Sequence, residues 1–88
     1  MGVLARIGKL IVSMRFFDTK HHHKPHVHAE YNGAKASVAI DGQILAGALP
    51  KTQMRILDGW LALHEEKVYE AWNNAVQGKS FEQITEVL

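Results

Sequence analysis

The chain has 88 residues, of which 47% are apolar and 22% charged, with a net charge of +1 when its six histidines are neutral and no cysteine. These totals describe one small globular domain of ordinary composition, spanning residues 1–88. They exclude disulfide staples and cysteine-type zinc sites, and the small net charge gives no support for nucleic-acid binding.

The opening "MGVLARIGKLIVSM" is apolar with basic residues. Its longest apolar run is too short for a signal core or a membrane span, and Arg6 stands where a myristoylation signal needs Ser or Thr. No membrane association is expected, and the default location is cytoplasmic. Residues 9–17, "KLIVSMRFF", alternate with period two and read as a half-buried strand with Leu10, Val12, Met14 and Phe16 on one face. "DTKHHHKP" then reads as a loop, and Pro25 pushes Lys24 toward extended geometry.

Residues 26–31 and 34–40 flank Asn32-Gly33, a strong signal for a two-residue type I′ hairpin. That turn pairs Tyr31 with Ala34, Ala29 with Ala36 and Val27 with Val38 on an apolar face. The opposite face pairs Glu30 with Lys35, His28 with Ser37 and His26 with Ala39. Asp41-Gly42 marks a second turn, and "QILAGAL" a short strand with ambiguous parity, where a bulge or longer loop is expected. Pro50 closes the β half, residues 1–50.

From Lys51 the period becomes helical, with Met54, Leu57, Leu61, His64, Val68, Ala71, Trp72 and Ala75 recurring every three or four residues. Gly78 is a stop signal, and Ser80 would cap a short last helix over 81–87. The expected fold is α+β: an antiparallel meander of three or four strands, packed on one face by a long helix that could be broken, plus a short terminal helix. The helical half is 51–88. A straight helix over 51–77 would run ~40 Å, whereas a strand of this chain runs ~20–24 Å. The overhang would expose Val68, Trp72, Ala75 and Val76, which are therefore expected at an interface with a second copy or a partner. No Gly or Pro stands at His64-Glu65, so a continuous helix is favoured over a break there.

Five of the six histidines fall within residues 21–28. His26 and His28 share a strand face and stand ~6.5–7 Å apart along it. They could present half of a site for zinc or another divalent transition metal, with His22 or another loop histidine, or Glu30, as a third ligand. They are also the candidate catalytic pair, since histidine serves as acid and base, and His28 opposite Ser37 could pair base with nucleophile. A solvated polar face that tolerates alanine accounts for the same residues without chemistry. His64 lies in the helix's apolar stripe and reads as a core or rim histidine. Whether the chain is an enzyme stays open at this point.

"FFD" at 16–18, "KPHVHAEYNGAKASVAI" at 24–40, "LAGALP" at 45–50 and the Trp60, His64, Trp72 series resemble a small bacterial family, domain of unknown function 4160. Its pattern is matched at Pro25, His26, His28, Tyr31, Gly33, Gly47, Pro50, Trp60, His64 and Trp72, and His22 falls at its loop histidine. Departures are Val27 for Phe, Lys24 for Pro and a shorter turn at Asp41-Gly42. The resemblance implies no established activity. It implies a small stand-alone protein encoded beside another small protein, in a layout like a toxin–antitoxin pair. The expected function is binding of a cognate small protein or a homo-oligomeric partner. The alternatives are a metal- or histidine-dependent hydrolase or nuclease, and a structural interaction domain without chemistry.

Overall fold

A computed structural model describes residues 2–16 and 24–85. Five strands form one antiparallel sheet in chain order: β1 Gly2–Ile7, β2 Leu10–Met14, β3 His26–Tyr31, β4 Ala34–Ala39 and β5 Ile44–Gly47. Two helices follow, α1 Lys51–Leu63 and α2 Glu65–Val76. The α+β class and the meander are as expected, but the strand count is five, not three or four. The extra strand is β1, which pairs with β2 through a two-residue turn at Gly8-Lys9.

The hairpin of β3 and β4 has the expected register at all six pairs, from Tyr31↔Ala34 to His26↔Ala39. Asn32 (φ 47°) and Gly33 (φ 89°) both take the positive φ that a type I′ turn requires. The expected irregularity in β5 is a register shift, since Ser37 pairs with Ala46 but Val38 with Ile44. A second bulge between Val3 and Ala5 leaves consecutive Leu4 and Ala5 both buried.

Leu10, Val12, Met14, Val27, Ala29, Ala36 and Val38 pack with Leu57, Trp60, Leu61, Val68, Ala71, Trp72 and Ala75 in one core. Both helices therefore lie on the same side of the sheet. The helical run does not continue straight. At His64 (φ −111°, ψ 22°) the helix breaks, although His64 N–H still bonds Trp60 O and Val68 N–H still bonds His64 O. Straight, residues 51–76 would run ~39 Å, beyond the 32 Å long axis of the molecule. The break lets one apolar stripe follow a short sheet. Glu65 and Glu66 occupy the first turn of α2, where carboxylates suit the helix dipole.

This corrects the interface expectation. Val68, Trp72 and Ala75 are buried within the chain's own core and Val76 packs against it, so no overhang exists. α2 ends in a Schellman motif, with Gly78 N–H bonding Ala75 O and Lys79 N–H bonding Asn74 O. The expected helix over 81–87 is also corrected: residues 81–85 form no helix, and 86–88 lie outside the described residues. Ile84 N–H bonds Leu4 O, and the Phe81 ring lies 5.8 Å from that of Phe16, so this segment lines the β1 side of the sheet. An isolated helix of seven residues is marginal, and these contacts outweigh it.

Candidate open-face site

Helices cover one face of the sheet. Alternation sends the side chains of the other face toward solvent, and the register arranges them in rows across the strands. One row runs Arg6, Ile11, Glu30, Lys35, and the next runs Val3, Ser13, His28, Ser37, Ala46. Arg15 lies two residues beyond Ser13, on the far side of that second row. Together they line a shallow groove of about 440 Å³.

His28 is half-buried at the groove's centre, with its Nδ1 3.3 Å from Ser37 Oγ. Ser13 is 7% exposed, and its hydroxyl points to the His28 carbonyl at 3.5 Å, a long contact. Lys35 Nζ lies 3.9 Å from Glu30 Oε1, which makes the expected cross-strand pair a loose surface contact.

His26 was expected on a solvated face, and this is corrected: it is fully buried. It is the first residue of β3, at the end of the sheet, where its ring lies 4.9 Å from the Trp72 indole. Its Nδ1–H donates to Lys24 O at 2.7 Å. Its ring meets that of His28 edge-on at 5.1 Å. The expected pair His26/His28 is thus brought together, but as one buried and one half-buried ring. Each ring has Nδ1 engaged. His22, the third expected ligand, lies outside the described residues, as do His21 and His23. Glu30 sits in the other row, beside Lys35. Among the described residues no three His, Asp or Glu side chains gather as a metal site. His64 is buried as expected, its ring 5.2 Å from that of Trp60.

The approach to His26 is braced by Lys24. Its Nζ reaches Asp41 Oδ2 and Gln43 Oε1, both at 2.6 Å, while Ile40 N–H bonds Pro25 O. The Lys24 hydrogen bond, then the Gln43 backbone N–H, hold the Asp41 carboxyl below its ordinary range.

The sequence reading missed Arg6 as a wall of this face, because it missed β1. The turn "IGKL" was the available signal, since Gly followed by any residue suits a two-residue hairpin.

A five-stranded meander backed by a broken helix, with histidines on the central strand, defines the class of the protein. The domain of unknown function 4160 family matches residues 10–73, and the chain belongs to that family. No curated protein and no solved structure matches it. Among the described residues no helix is long and apolar enough to cross a membrane.

Proposed function

We propose that this is a small cytoplasmic protein that works by binding a cognate small protein, in a module of toxin–antitoxin type, through the outer edge of β5. One observation carries this. β5 ends the sheet, and among the described residues no strand pairs with its outer side. Natural edge strands are guarded by charges, proline, a cover, shortness or a bulge, and β5 has the last two. The stretch Ile44 to Leu49 has no charge and no proline, and Ile44 is 50% exposed. The other edge differs, since the 79–85 segment bonds to β1 through Ile84. An edge without charge or proline suits an extended segment added as a sixth strand, with main-chain bonds giving affinity.

The test is co-expression with the product of the adjacent reading frame, followed by gel filtration. The wild type should co-elute with it. Ile44→Lys with Ala48→Lys should abolish co-elution while the melting temperature holds. Co-elution that survives both lysines removes the edge from the account. Self-association lost in the same variant would make the occupant a second copy.

A second reading, a histidine-dependent hydrolase, draws on the 3.3 Å approach of Ser37 Oγ to His28 Nδ1. There the imidazole would take the hydroxyl proton during attack. Turnover of bis(4-nitrophenyl) phosphate, lost in His28→Ala, is the result that reading requires.

A further inference from the structure

We propose that the open-face groove binds a small phosphate monoester, with its phosphate over the His28–Ser37 row. This stands apart from the edge of β5 and holds whether or not a partner strand binds there. Three cations line the groove, Arg6, Arg15 and Lys35, against one carboxylate, Glu30. Lys35 and Glu30 approach each other. Among the described residues neither Arg6 nor Arg15 has a carboxylate partner, and both side chains are exposed.

Their placement is what selects the ligand. Arg6 belongs to the row on one side of His28, and Arg15 lies two residues beyond Ser13 on the other side. Each is ~6.5–7 Å along the strand from Ser13, and β1 lies one strand spacing, ~4.8 Å, from β2. Both guanidiniums can therefore meet one anion above the Ser13 end of that row, beside His28. The central row itself supplies two hydroxyls, Ser13 and Ser37, and the His28 imidazole. A carboxylate has two oxygens, which one guanidinium fork satisfies. A phosphate monoester has three terminal oxygens and about −1.5 to −2 charges, which match two forks and a hydroxyl. Val3, Ile11 and Ala46 give the rest of the ligand an apolar floor, and about 440 Å³ is the size of a small-molecule site. Recognition of a single nucleic-acid strand would call for aromatic side chains to stack the bases. Among the described residues no Phe, Tyr or Trp lines this groove, and His28 is its one aromatic ring.

The test titrates the full chain with phenyl phosphate, benzoate and an octameric oligouridylate, following amide shifts by NMR. Phenyl phosphate should bind saturably, with shifts centred on Ser13, His28 and Ser37, and inorganic phosphate should compete. Arg6→Gln and Arg15→Gln should each weaken it about tenfold, as loss of a charge-assisted hydrogen bond does, with no change in melting temperature. Benzoate should bind at least about tenfold more weakly by the same reckoning. Absence of saturable binding, or affinity unchanged in the Arg6→Gln/Arg15→Gln double variant, overturns the proposal. So does tighter binding of benzoate or of the oligonucleotide.

Discussion

His26 ties the central strand to the helical layer. Its Nδ1–H satisfies the Lys24 carbonyl, and its ring fills the space beside Trp72. His26→Ala should therefore lower stability by about 2–4 kcal/mol, from the cavity and the lost donor together. Ser37→Ala, on the open face, should stay within about 1 kcal/mol of wild type. Chemical denaturation of both variants checks the contrast, and equal losses would contradict it. Alternation in the sequence put His26 on the face away from the helices, whereas its ring meets Trp72 of α2. It could not show that a residue at a strand's end is met by a tryptophan 46 positions later. Asp41 gives a pH prediction. Its folded carboxyl is more acidic than the ordinary 3.8, because Lys24 and the Gln43 amide favour the charged form. Its stabilising contribution is thus present above 3.8 and is lost as pH falls through the depressed value. Asp41→Asn should show a smaller fall in urea midpoint between about pH 5 and pH 3 than the wild type.

Among the elements, the β3–β4 hairpin was legible in full, because period-two strands and Asn32-Gly33 specify one register and a slip would expose the apolar face. β1 was not, because "GVLARI" reads equally as an apolar leader and its turn lacks an Asn-Gly signal. The break at His64 was written only faintly, in the Glu65-Glu66 pair that opens α2. The pressure to bend comes from the size of the sheet, which no local window contains. The end of β5 depends on Gly47. It has φ +72°, and a Cβ there would stand 2.2 Å from the Lys35 carbonyl oxygen. Gly47→Ala should cost about 2 kcal/mol or more, by forcing strain on the backbone or separating β4 from β5. A thermal melt within a degree of wild type would show that the β4–β5 approach is not needed.

Among the described residues, the sheet has one face packed by helices, one face without them, the β1 edge lined by the 79–85 segment and no strand on the outer side of β5. The histidine cluster, the most conspicuous feature of the sequence, divides between core and groove: His26 belongs to packing and His28 to the open face. The expected interface on α2 is core, so the proposed association is assigned to the β5 edge. Family membership agrees with the fold elements that carry the matched residues, from Leu10 to Asn73. The most direct test of the edge is amide hydrogen exchange in β5 with and without the cognate partner. Ala48 N–H bonds inward to Lys35 O, so the neighbouring Gly47 amide turns outward. In the free chain the Gly47 amide should exchange fast, and in the complex it should become protected while the Phe16 and Leu63 amides do not change. A complex that forms with Gly47 still exchanging at the free rate would contradict the account.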